Sequence, residues 1–115
     1  MTTEQHNERA AEILKVIGHP VRLRIIAALA ERENRVMTLV EALEVKQSII
    51  SQQLRILRLE GLVESVCVDG VSRYQLVVHQ LAQLMPLLYA IVGDQLGGTM
   101  PKTIGSGERK GTGTR

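Results

Sequence analysis

Residues 46–62, Lys-Gln-Ser-Ile-Ile-Ser-Gln-Gln-Leu-Arg-Ile-Leu-Arg-Leu-Glu-Gly-Leu, constrain this chain more than any other stretch. At helical spacing Ile50, Leu54 and Leu57 fall at i, i+4 and i+7 and form an apolar stripe that must be laid into a core. Gln47, Ser48, Ser51, Gln52, Arg55 and Arg58 lie on the other side. That side is rich in amides, hydroxyls and guanidinium groups and poor in carboxylates. Amides and guanidinium groups make paired hydrogen bonds to the edges of adenine and guanine in a major groove. A DNA-reading helix and a solvated amphipathic helix are both compatible with these residues alone, and the flanking segments decide between them.

Upstream, Thr38-Leu-Val-Glu41 has the form of a capping box, with the Thr hydroxyl and the Glu carboxylate each reaching a backbone N–H. It predicts a short helix over residues 39–43, which leads through Glu44-Val45-Lys46 into the polar-faced helix. Two helices joined by so short a turn are a helix-turn-helix. Earlier, His19-Pro20 opens a further helix, because proline suits a first helical turn, and Leu23, Ile26, Ala27 and Leu29 or Ala30 fit its buried stripe. Downstream, Gly61 is placed to end the reading helix in a left-handed conformation. Residues 63–68 and 72–78 are β-rich runs around Asp69-Gly70, a strong hairpin signal. A helix-turn-helix followed directly by a hairpin predicts a mostly α fold with a small β-hairpin wing, a winged helix-turn-helix of the α+β class.

The run Gly18-His-Pro-Val-Arg-Leu-Arg-Ile-Ile, the run from Gln47 to Val63, then Asp69-Gly and Tyr74-Gln-Leu resemble, in order and spacing, the ArsR/SmtB family of bacterial winged-helix repressors. The resemblance covers about residues 10–95. It implies a homodimer that represses transcription and releases DNA when an inducer binds. Three departures stand out. His19 precedes the proline where the family usually has Asp or Asn. Lys46, which offers no acceptor, stands where Ser or Thr usually caps the reading helix. Ile49 stands where a hydroxyl is usual, so it either contacts a thymine methyl or packs inside the protein. The sequence specificity is therefore expected to be the protein's own.

The DNA-binding set expected from these readings is Lys46, Gln47, Ser48, Ile49, Ser51, Gln52, Arg55, Arg58 and Arg73. Gln47, Ser48, Ser51 and Gln52 occupy the first turns, where base edges are reached, with an adenine expected for Gln52 or Gln47. Lys46, Arg55 and Arg58 are expected on phosphates, and Arg73 is expected to hold the wing to the backbone or minor groove. The net charge is only +2, so the clustering of cations matters more than the total.

A chain of 115 residues is one domain, with residues 1–96 expected as the folded unit. The first helix, over about residues 5–17, carries Ala10, Ile13, Leu14 and Ile17 on one side. The last, over about residues 79–96, carries Leu81, Leu84, Met85, Leu88, Ile91 and Val92. That is more aliphatic surface than one small core needs. The terminal helices are therefore expected to form a homodimer interface through Ile13, Leu14, Ile17, Leu84, Leu88, Ile91 and Val92. Pro86 predicts either a kink near Ala82 or a helix that starts in earnest at the proline. Residues 97–115 are Gly-rich and are expected to be a disordered tail.

No cofactor and no metal site are expected. A tight transition-metal site needs three or four ligands in reach, whereas His6, His19 and His79 are scattered and the only cysteine is Cys67. Cys67 is expected to be a small half-buried hydrophobe. The inducer is left unidentified. No serine-histidine-acid set, phosphate loop or carboxylate pair supports an enzyme. A single cysteine and the lack of a long apolar run or signal region point to a cytoplasmic protein without membrane contact. The alternative function is a winged-helix protein-interaction module without sequence-specific DNA binding.

Overall fold

A computed structural model describes residues 1–96. The elements run α1 (Thr3–Ile17), α2 (Pro20–Glu31), α3 (Val36–Leu43), α4 (Gln47–Leu59), β1 (Val63–Val68), β2 (Val71–Leu76) and α5 (Gln80–Leu96). The expected tail, residues 97–115, lies outside the described residues.

The centre is α2. Ile25, Ile26, Ala27, Ala28 and Leu29 are all buried, five residues in succession, which no single helical stripe produces. The helix is enclosed on several sides, packing against α1, α3, α4, α5 and β2. That is why a one-sided reading of its pattern misses Ile25 and Ala28. The largest fully buried side chains, Ile25, Ile26, Leu39, Leu43, Ile50, Leu54 and Leu57, come from α2, α3 and α4. The helix-turn-helix therefore shares the most fully buried part of the core, and α4 cannot shift without disturbing it.

His19 takes over the capping role that an Asp or Asn would fill. Its Nδ1 accepts from the backbone N–H of Val21 at 3.1 Å and of Arg22 at 3.4 Å. Pro20 has no N–H and the His19 N–H bonds the Ile17 carbonyl, so the ring satisfies the two donors that this helix start leaves open.

The expected capping box at Thr38 and Glu41 does not form. Helix α3 begins at Val36, its cap residue Arg35 makes no side-chain bond, and Thr38 lies inside the helix. The apolar spacing decides this: Val36 and Val40 are half-buried, and Leu39 and Leu43 are buried, at i, i+3, i+4 and i+7. Just before it, Asn34 and Tyr74 exchange backbone hydrogen bonds at 3.0 and 2.7 Å, which fixes where the chain enters the helix. A capping box does occur, at the start of α1. There Thr2 Oγ1 accepts from Gln5 N, and Gln5 Oε1 accepts from Thr2 N.

Gly61 behaves as expected. It sits at φ +79°, and its N–H bonds the Arg58 carbonyl at 2.9 Å while the Leu62 N–H bonds the Leu57 carbonyl at 3.0 Å. This pair of bonds is the Schellman arrangement, and Leu62 follows it directly into the core at 2% exposure. Asp69 and Gly70 both have positive φ, at 52° and 77°, which makes a two-residue type I′ turn. The strands pair antiparallel from Val63 with Leu76 to Val68 with Val71.

Helix α5 is continuous from Gln80, so the expectation of a start at Pro86 is not met. Leu81 and Met85, each 4% exposed, hold the turns before the proline in the core and keep them helical despite the backbone bond the proline removes.

Candidate nucleic-acid interface

Helix α4 has two faces, with Ile56 half-buried on their border. Ile50, Gln53, Leu54 and Leu57 are buried, while Lys46, Gln47, Ser48, Ile49, Ser51, Gln52, Arg55 and Arg58 are all exposed. Ser48, Gln52, Arg55 and Leu59 fall at i, i+4, i+7 and i+11, directly opposite the core stripe. Gln47, Ser51 and Arg58 flank that row on one side and Ile49 on the other. No carboxylate occurs between Gln47 and Leu59. Lys46 caps the helix without a side-chain bond, as its chemistry requires, and its carbonyl accepts from the N–H groups of Ile49 and Ile50 at 3.0 Å. The N–H groups of Gln47 and Ser48 precede these bonds, at the positive end of the helix dipole and beside the amides and hydroxyls. Leu59, 69% exposed at the far end of the same row, has no counterpart in the expected DNA-binding set.

The orientation of α4 is set by the turn before it. Glu44 adopts a left-handed conformation at φ 56°, and its N–H bonds the Val40 carbonyl. From α2, the Arg24 guanidinium donates to the Leu43 carbonyl at 2.6 Å. A charged donor therefore satisfies the C-terminal end of α3 and ties the turn to the central helix. Nothing in the sequence pattern pairs Arg24 with Leu43, 19 positions apart. Arg24→Met, which keeps the apolar stem and removes the donor, should lower unfolding stability by about 1.5–3 kcal/mol in urea denaturation. No change would show that the bond contributes nothing.

Gln53 is the buried polar residue of this helix, at 9% exposure, and its Oε1 has no hydrogen-bond partner. An unpaired buried amide oxygen costs about 1–3 kcal/mol. Gln53→Met has nearly the same volume and should raise stability by about 1 kcal/mol, measured as a later urea midpoint with unchanged m-value.

The wing carries Arg73 on β2, half-buried and opposite Val66. Glu64 and Gln75 share this face of the hairpin and bond to each other at 2.6 Å. The opposite face begins in the core with Val63 and Leu76, at 2% and 5% exposure. Cys67 lies on that core-facing side but two pairs beyond Ser65, where the core no longer reaches, and it is exposed rather than half-buried. The ion pairs found among the described residues join Arg9 to Glu12 at 3.0 Å and to Glu60 at 3.9 Å, and they leave Arg55, Arg58 and Arg73 out.

The terminal helices divide differently from the expectation. Ile17 is 3% exposed and belongs to the chain's own core, so it offers nothing to a partner. On α5, Leu81 and Met85 also face inward. Leu14, Ile91 and Val92 are 57%, 54% and 47% exposed, and Ile13, Leu84 and Leu88 are half-buried. Leu87, absent from the expected set, is the most exposed of the group at 63%. Ile13, Leu84 and Leu87 line a groove of about 380 Å³ together with Val78, Gln80, Leu81 and Gln83. Tyr89 lies on the same helix, and burial holds its phenol above the ordinary range.

Among the described residues no three His, Cys, Asp or Glu side chains come together to hold a metal ion, and no helix is long and apolar enough to cross a membrane.

The family profile described as "Bacterial regulatory protein, arsR family" matches residues 19–65, from the cap of α2 into the first half of β1. The biofilm growth-associated repressor of Xylella fastidiosa is 38% identical over 94 residues, covering 79% of this chain and 82% of that protein. The HTH-type transcriptional repressor SmtB of Mycobacterium tuberculosis is 36% identical over 78 residues, covering 68% of this chain and 58% of that protein. Among solved structures, the transcriptional repressor BigR from Xylella fastidiosa aligns with a TM-score of 0.67 at 38% identity, covering 79% of this chain and 96% of that one.

Proposed function

This chain belongs to the ArsR family of bacterial regulatory proteins, and on that basis we propose that it is a homodimeric repressor that binds a specific double-stranded operator. The observation that carries the reading is the outward face of α4. Eight exposed residues from Lys46 to Arg58 combine amides, hydroxyls and cations without a carboxylate, on a helix whose other face is fixed in the core. In this reading Gln47, Ser48, Ser51 and Gln52 meet base edges. Lys46, Arg55 and Arg58 neutralise phosphates, and Arg73 holds the wing to the DNA backbone or minor groove.

The dimer forms through α1 and α5. Leu14, Leu87, Ile91 and Val92 leave apolar side chains in water on a chain with a well-filled core, and a second copy covers them in an isologous contact. Two-fold symmetry then sets two α4 helices about 34 Å apart, facing successive major grooves of a pseudo-palindromic site. Release of the operator follows an inducing signal. The test is footprinting on the DNA upstream of the gene. Protection of an inverted repeat with half-sites one helical turn apart supports the reading. Uniform protection, or none, contradicts it.

A further inference from the structure

The first turn of α4 exposes a side chain that no hydrogen bond can use. Ile49 is 37% exposed, and its neighbour Ile50, at 0%, already fills the adjoining core position. Successive residues of a helix point about 100° apart, so the two cannot serve the same side. Ile49 lies one turn before Gln52 on the helix surface, and Ser48 and Ser51 share the same turns. Among the exposed residues of the first turns, Gln47, Ser48, Ile49, Ser51 and Gln52, it is the apolar one beside amides and hydroxyls. A β-branched residue gains little from the start of a helix, and an isoleucine contributes no phosphate bond where a hydroxyl would.

A major groove offers donors and acceptors at every base pair, and one apolar group, the 5-methyl of thymine. We infer that Ile49 is a specificity-determining residue that reads a thymine methyl group at one position in each half-site. This rests on the proposal that α4 enters a major groove, and it adds the chemical feature that is recognised there. It makes one base preference of the operator depend on an alkyl contact, independent of the hydrogen bonds made by Gln47 or Gln52.

The test uses the full chain and the footprinted site as synthetic duplexes. Each thymine is replaced in turn by deoxyuridine, symmetrically in both half-sites. Deoxyuridine keeps every hydrogen-bonding group and lacks only the methyl. The expected result is a loss of about fourfold per half-site at one position, about fifteenfold for the pair, the size of one buried methyl contact. Ile49→Ser should lose a similar factor on the thymine duplex and be indifferent to deoxyuridine at that position. The wild-type arm requires no variant to fold. If wild type tolerates every deoxyuridine while Gln52→Ala still loses sequence preference, Ile49 does not read a methyl and the placement of α4 stands. Equal deoxyuridine sensitivity in wild type and Ile49→Ser assigns the methyl to another residue and overturns the inference. If wild type prefers no duplex over any other, the placement of α4 fails and this inference fails with it.

Discussion

Ile91→Glu should leave a folded protein of single-chain mass that has lost tight binding to a two-half-site duplex. Ile91 is 54% exposed in the isolated chain, so a carboxylate there faces water and costs the protomer almost nothing. In an isologous dimer the same substitution occurs twice across the two-fold axis and forces two carboxylates against apolar surface. Leu88→Glu should also block association, but Leu88 is half-buried and packs on the core, so that variant loses fold stability as well. Ile91 separates the two effects. Without the dimer, each reading helix binds a half-site alone and forgoes the gain of linked sites, on the order of 10²–10⁴ in affinity. Light scattering at micromolar concentration should give twice the chain mass for the wild type and the chain mass for the variant, with similar melting curves. A wild-type monomer, or a dimeric Ile91→Glu, would place the interface elsewhere.

The second large effect is expected at α4, where two kinds of substitution should fail in different ways. Arg55 lies in the centre of the exposed row, outside the ion pairs found among the described residues, so its charge is available to a phosphate. Arg55→Ala should weaken binding to all sequences alike. It should lower the salt slope by about one for each phosphate left without its cation, because released counterions dominate that dependence. Gln52 is one turn earlier in the same row, where an amide can make a bidentate contact with adenine. Gln52→Ala should cost about 1–3 kcal/mol in each half-site of the preferred duplex and little on a scrambled one. Neither residue touches the core, so both variants should fold normally.

Much of this was legible because single positions carried a strict backbone demand. Gly61, and Asp69 with Gly70, stand where the chain must adopt positive φ, and the helix end and the hairpin turn follow from them. The two faces of α4 were legible from periodicity, since an isolated stripe at i, i+4 and i+7 has one possible inward side. What escaped depends on contacts between distant residues. The start of α3 follows from the Asn34–Tyr74 bridge and the stripe beginning at Val36, which overrode the capping chemistry of Thr38. The burial of Leu81 and Met85 carries the α5 helix through Pro86. The link from Arg24 to Leu43 has no local signature. The apolar residues of α1 and α5 read as one class in sequence, yet Ile17 goes to the core and Leu87 to the surface, because periodicity does not tell how far around a helix the core extends.

Whether α4 reads DNA sequence is decided by one titration. Wild type and Gln52→Ala are measured against the footprinted duplex and a scrambled duplex of equal length, each at two salt concentrations. Wild type should prefer its own site at both salts. Gln52→Ala should bind that site about five- to 150-fold more weakly for each half-site, with scrambled binding and salt slope unchanged. Equal weakening on both duplexes, or none on either, would contradict a sequence-reading α4.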